Sequence, residues 1–145
     1  MKNTTYGFGQ HLMLDGYGCN KDKLMDIELL YNFLDAYPDE MEMTKVMPPY
    51  VFRCEGKKPE DWGYSGFVII AESHISIHTF PEKNYLSLDI FSCKTFDAQK
   101  AIDYVVKLFE IKEKEIKLID RGIEFPHNIV QTAEIVNMDR QAVSR

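Results

Sequence analysis

The feature that most constrains this chain is the strict alternation of its middle third. Residues 73–80 read Ser-His-Ile-Ser-Ile-His-Thr-Phe and residues 85–92 read Tyr-Leu-Ser-Leu-Asp-Ile-Phe-Ser. Successive side chains of an extended strand point to opposite faces, so Ile75 and Ile77 share one face while His74, Ser76, His78 and Phe80 share the other. The second segment divides in the same way, with Leu86, Leu88 and Ile90 set against Tyr85, Ser87, Asp89, Phe91 and Cys93. A turn at Pro81-Glu82-Lys83-Asn84 joins the two as a hairpin, which brings the apolar rows together and the polar rows together. Residues 65–71 precede them as a third strand. Such a sheet has one face to bury under helices and one face carrying His, Ser, Asp, Cys and aromatic side chains.

The rest of the chain supplies the cover. Residues 7–14 read as a short strand, Gly16-Tyr17-Gly18 turns it, and Asn20 is an N-cap for one helix over residues 21–37. Leu24, Ile27, Leu30, Tyr31 and Leu34 recur at helical spacing, and Pro38 is the stop. A strand over residues 43–47 and an extended run over 50–53 follow, then a turn-rich loop from Cys54. Beyond the three alternating strands, residues 96–109 form a helix that turns Ala98, Ala101, Ile102, Val105, Leu108 and Phe109 inward, and residues 115–120 form a last strand. With no alternating βαβ units, this order predicts an α+β two-layer sandwich, a mostly antiparallel sheet covered on one face by two helices. Residues 1–122 make a single domain. Residues 123–145 form a peripheral tail, with a weak helical period only over 129–136. An open sheet face or edge predicts a homodimer.

Composition narrows the function classes. A chain of 145 residues, 45% hydrophobic, builds one core rather than two. A net charge of −6 with no basic cluster argues against a nucleic-acid partner. The apolar run at 67–71 is far short of the roughly 18 residues of a membrane span, and Met1-Lys2-Asn3-Thr4-Thr5 opens no segment of signal-peptide length, so a soluble, cytoplasmic protein without membrane contact is expected. Cys19, Cys54 and Cys93 are too widely spaced for a CxxC metal site, and their odd number argues against a disulfide framework. His74 and His78 on one strand stand about 13 Å apart, too far to share an ion, so no metal is expected. There is no G-x-S-x-G, and Gly7-Phe8-Gly9 lacks the rest of a dinucleotide fingerprint. Pattern alone ends at a polar-faced α+β domain.

The stretch AESHISIHTFPE at 71–82, with YSGFVII before it and DIFSC after it, resembles the prokaryotic S-adenosylmethionine decarboxylase family. Its members are pyruvoyl enzymes that make the aminopropyl donor for spermidine. The resemblance spans residues 7–122 in order of elements and implies a chain that cuts itself between Glu72 and Ser73. The Ser73 hydroxyl attacks the preceding carbonyl, and β-elimination then leaves a pyruvoyl group at the head of an α chain starting at 73, with residues 1–72 as the β chain. His78 matches the proton acceptor of that step, Ser65 the serine that assists it, and Cys93 the proton donor of the decarboxylation. The pyruvoyl carbonyl forms a Schiff base with the substrate amine and serves as electron sink. Phe80 stands where members often carry tryptophan against the adenine, Phe52 or Trp62 would supply a second ring, and Glu82 matches the acid that holds the ribose hydroxyls. Aromatic faces and an acidic surround suit the sulfonium of S-adenosylmethionine.

Two rival readings remain at this stage: an arginine or ornithine decarboxylase on the same scaffold, and an unprocessed nucleoside-binding regulator. The resemblance also makes a geometric demand. On a straight strand Ser73 and His78 lie about 16 Å apart, so the chain is expected to bend or bulge after Ser73, or the two groups must meet by another local path.

Overall fold

The alternating segments sit at the centre of a six-stranded sheet in the order β2-β3-β4-β5-β1-β6. A computed structural model describes residues 9–122. Its strands are β1 Gly9–Tyr17, β2 Tyr50–Cys54, β3 Gly63–Ile70, β4 Ser73–Phe80, β5 Tyr85–Ser92 and β6 Glu113–Arg121, and its helices are α1 Lys21–Leu24, α2 Ile27–Glu40 and α3 Ala98–Phe109. Every neighbouring pair of strands is antiparallel. The predicted α+β two-layer sandwich is the observed fold.

Register follows from the apolar rows. Ile75 lies opposite Ile90 and Ile77 opposite Leu88, and Leu12 and Leu14 of β1 continue the row across the sheet. These side chains are at most 1% exposed. They pack beneath Leu30, Phe33 and Leu34 of α2 and Ala101, Val105 and Phe109 of α3. A slip of one residue would turn the whole row to solvent, at about 1.5–3 kcal/mol for each large side chain. The opposite face, with His74, Ser76, His78, Asp89 and Phe91, has no helix over it among the described residues.

Four local expectations are corrected. The first helix is broken at Met25, because Asp26 acts as a fresh N-cap whose carboxylate accepts the Leu29 N–H at 3.0 Å. The break resets the inward face, so Ile27 and Tyr31 are exposed while Leu30, Phe33, Leu34 and Tyr37 are buried. Pro38 does not end α2, which continues to Glu40. A proline this near a C-terminus removes only its own N–H, its ring is buried, and its carbonyl accepts the Met43 N–H at 2.8 Å. Residues 43–47 form no strand, only a single bridge between Lys45 and Ile70, and Pro48-Pro49, which have no backbone N–H to donate, follow at once. Finally, β1 extends through Gly16 to Tyr17, and the chain turns at Gly18, whose φ of 64° suits glycine. The tail and its weak period at 129–136 lie outside the described residues. Among the described residues no helix is long and apolar enough to cross a membrane.

Candidate active site

Ala71 and Glu72 form the tight turn between β3 and β4, and Ser73 opens β4 with φ of 152°. Residues other than glycine occupy that region at a cost of about 1–3 kcal/mol, and only where surrounding contacts impose it. Here those contacts are visible. The Glu72 carboxylate accepts the Thr44 N–H at 3.2 Å, and the Ala71 N–H donates to the Thr44 carbonyl at 2.8 Å. The Cys93 N–H donates to the Glu72 carbonyl at 2.8 Å. The Glu72–Ser73 peptide therefore has a strained residue on one side and a polarised carbonyl on the other. An N–H aimed at that oxygen is placed to stabilise the negative charge that nucleophilic attack would put there.

Strand β1 helps to set this end. A Cβ at Gly9 would collide with the Ser92 carbonyl and the Cys93 Cα, so glycine lets β1 lie flush beside the segment that carries the Cys93 donor. The Cys93 side chain is exposed to solvent at its rim. Partial burial pushes its thiol pKa up from 9.0, and the nearby Glu72 carboxylate pushes the same way. The thiol is thus held protonated at neutral pH, as a proton donor requires.

At the other end of β4, Ser65 and His78 lie directly opposite each other in the ladder. Ser65 Oγ and His78 Nδ1 are 2.7 Å apart, and the Cys54 thiol donates to Ser65 Oγ at 3.4 Å. Phe52, Phe67, Ile69 and His74 complete a largely apolar cavity of about 340 Å³ beside this pair. Further along, the Phe80 ring packs against Tyr85, with centroids 5.5 Å apart. Glu82 lies just beyond, where Lys21 donates to one carboxylate oxygen at 2.8 Å and the Trp62 indole N–H to the other at 3.3 Å. Those two donors, Lys21 first, hold its carboxyl below the usual range. Arg53 covers a face of Trp62 at 4.2 Å.

The expected bend after Ser73 is absent. β4 pairs with β3 and β5 in unbroken register, from Ile70 opposite Ser73 to Phe80 opposite Tyr85. A strand laddered on both sides has no slack for a bulge, so Ser73 and His78 stay about 16 Å apart along one chain. Ser73, Glu72 and Cys93 come together at one end of β4. Ser65, His78, Phe80, Glu82 and Trp62 gather at the other.

Some neighbours escape the sequence reading. His11 Nε2 lies 2.8 Å from Asp89 Oδ1, and Arg121 stacks over Phe91 at 4.2 Å, all on the open face. Strand parity puts His11 and Asp89 on a face, yet only the β1–β5 register makes them partners. Cys54 shares the parity of Tyr50 and Phe52, a signal that could have placed it beside Ser65. Among the described residues no group of three His, Cys, Asp or Glu side chains is arranged to hold a metal ion.

Comparison with known proteins matches residues 10–122 to the family model described as S-adenosylmethionine decarboxylase. This chain belongs to that family. The S-adenosylmethionine decarboxylase proenzyme of Clostridium botulinum strain Loch Maree is 38% identical over 115 residues, covering 79% of this chain and 94% of the relative. The proenzyme of Pyrococcus furiosus is 35% identical over 140 residues, covering 92% of this chain and 94% of the relative. A crystal structure of the adenosylmethionine decarboxylase from Aquifex aeolicus superimposes with a TM-score of 0.67 at 28% identity, covering 80% of this chain and 92% of that one. The family carries the same α+β fold, and the stretch 71–82 lies within the matched region.

Proposed function

We propose that this chain is a self-cleaving S-adenosylmethionine decarboxylase, whose product is the aminopropyl donor for spermidine. One observation carries the reading: the strained Ser73 follows a carbonyl that already accepts the Cys93 N–H at 2.8 Å. Ser73 Oγ adds to the Glu72 carbonyl carbon, the C–N bond breaks, and an ester with a free amine replaces the amide. Removal of the Ser73 Cα proton turns the C–H pair into a Cα=Cβ bond, and the Cβ–O bond breaks to release Glu72 as a carboxylate. The enamine left behind tautomerises, and water hydrolyses it to a ketone with loss of ammonia. Residues 1–72 then form the β chain, and 73–145 the α chain headed by a pyruvoyl group. That group supplies an electrophile for the substrate amine and a sink for the electron pair left by CO₂. Cys93 returns a proton to the substrate Cα, a task suited to a thiol kept protonated.

His78, with Ser65, is the base of the cleavage. Because its own Ser73 is about 16 Å away along β4, we assign it to the Ser73 of a second copy, in a homodimer that apposes two open sheet faces. Tyr50, Phe52, Ile69 and Ile119 are exposed there, an apolar patch suited to a self-complementary interface. Trp62 and Phe80 are the aromatic walls for adenine, with Trp62 favoured over Phe52 because its indole N–H bonds Glu82, the residue assigned to the ribose. Two rings beside that carboxylate suit a sulfonium nucleoside better than arginine or ornithine.

Intact-mass analysis of purified protein should yield two fragments divided before Ser73, the second lacking a free amine. A single full-length species would overturn the enzyme reading. Release of CO₂ from carboxyl-labelled S-adenosylmethionine, and not from arginine or ornithine, tests the substrate.

A further inference from the structure

We propose that Cys54 is a positioning residue for self-cleavage, its thiol fixing the direction of the hydrogen bond between Ser65 and His78. The proposal rests on the reading of Ser65 and His78 as the base of that cleavage. Cys54 closes β2 opposite Gly63, two residues from Phe52, which faces Ser65. This register brings its sulfur to 3.4 Å from Ser65 Oγ, while His78 Nδ1 lies 2.7 Å from the same oxygen. Ser65 itself is buried.

A serine hydroxyl has one proton and two lone pairs. With the Cys54 S–H donating into one lone pair, the hydroxyl proton is directed at His78 Nδ1. Nδ1 is then the acceptor of the ring, and the hydrogen sits on Nε2. The second lone pair of Ser65 Oγ is left as the only unassigned direction on that oxygen. In the cleavage it takes the Cα proton of Ser73 while the hydroxyl proton passes to Nδ1. Ser65 ends neutral, His78 ends as imidazolium, and the freed C–H pair becomes the new Cα=Cβ bond. Cys54 exchanges no proton in this step and forms no bond to the reacting atoms. Its contribution is to disfavour the reverse arrangement, in which Nδ1–H fills the second lone pair, the buried hydroxyl hydrogen is left without an acceptor, and the relay has no acceptor at Nδ1.

The test follows cleavage of freshly synthesised full-length proenzyme over time for the wild type, Cys54→Ala and Cys54→Ser. Loss of one weak donor is expected to slow Cys54→Ala about three- to tenfold. Cys54→Ser, which keeps a donor, should stay within about twofold of the wild type on the same reasoning. Nitrogen-15 spectra of His78 give a second readout in the uncleavable Ser73→Ala background, with an unprotonated Nδ1 when Cys54 is present and a mixture of tautomers in the double variant with Cys54→Ala. An unslowed Cys54→Ala, a Cys54→Ser as slow as the alanine variant, or an unchanged tautomer would each overturn the proposal. If the wild type itself never cleaves, the enzyme reading fails instead, and the His78 tautomer still decides whether Cys54 orients the pair.

Discussion

The two ends of β4 are built differently. At the Ser73 end the features are in the backbone: a residue at φ 152°, a turn tied to Thr44, and the Cys93 N–H on the Glu72 carbonyl. At the His78 end it is in side chains, with Ser65, His78 and Cys54 in one hydrogen-bonded row and Trp62 and Glu82 beyond them. On the proposed function, the first end carries the bond that breaks but neither Ser65 nor His78. The second holds a base and no such bond. On the same proposal a regular strand thus carries two half-sites, and its rigidity is the reason we assign them to two copies.

The most direct way to break this comparison is to disable one end in each of two chains. Alone, His78→Ala should cleave about 10²- to 10⁴-fold more slowly, the range for a lost general base, and Ser73→Ala should not cleave at all. Co-expressed, a Ser73→Ala chain supplies an intact His78 end to the Ser73 of a His78→Ala partner, so the His78→Ala chains should be cut. Tagging each variant and weighing the products tells the chains apart. His78→Ala chains that stay full length in the mixture would return the base to its own strand.

Next in size is the separation of the two duties proposed for Cys93. Cys93→Ala keeps its backbone N–H and therefore the contact with the Glu72 carbonyl, so the chain should still divide at Ser73. It loses the thiol, so turnover of S-adenosylmethionine should fall about 10²- to 10⁴-fold. A variant that fails to divide would mean that the thiol, and not the amide, serves the first reaction.

This split between backbone and side chain also explains what could be read in advance. Alternation across residues 73–92 fixes which side chains share the open face, because strand parity is a local property, and the register bears it out for Ile75, Ile77, Leu88 and Ile90. The same alternation cannot reveal that Cys93 N–H meets Glu72 O, since any residue supplies an amide there and only the turn geometry selects one. Nor can it reveal the helix break, where Asp26 reads equally well as a surface acid inside a continuous helix or as a cap. Ser65 and His78 were each legible from the family resemblance. The contact of Ser65 with Cys54 depended on the β2–β3 register across a turn-rich loop.

A smaller effect should distinguish the aromatic side chains at the His78 end. Base stacking on an aromatic ring is worth about 1–3 kcal/mol, so Trp62→Ala should raise KM about fivefold or more with less change in kcat. Phe52→Ala should change KM less, because Phe52 borders the cavity by Ser65 and has no contact with Glu82 comparable to the indole hydrogen bond. Steady-state kinetics of the two cleaved variants makes the comparison, and a larger KM effect at Phe52 would exchange their roles.

The smallest expected effect concerns His74, next to Ser73 in β4. Its pKa is lowered from 6.5, first by burial and then by His11, with Arg121 adding to the fall and Asp89 opposing it. A histidine whose folded pKa lies below its unfolded value stays neutral in the native state while the unfolded chain takes up a proton. Stability is therefore complete above about 6.5 and declines as pH falls from there toward the folded value. Denaturant midpoints of the uncleavable Ser73→Ala chain should drop between pH 7.5 and 5.5, a window above the range in which ordinary carboxylates titrate. His74→Gln, which keeps a polar side chain but cannot titrate, should flatten that slope. If the slope is unchanged, another group carries the acid sensitivity.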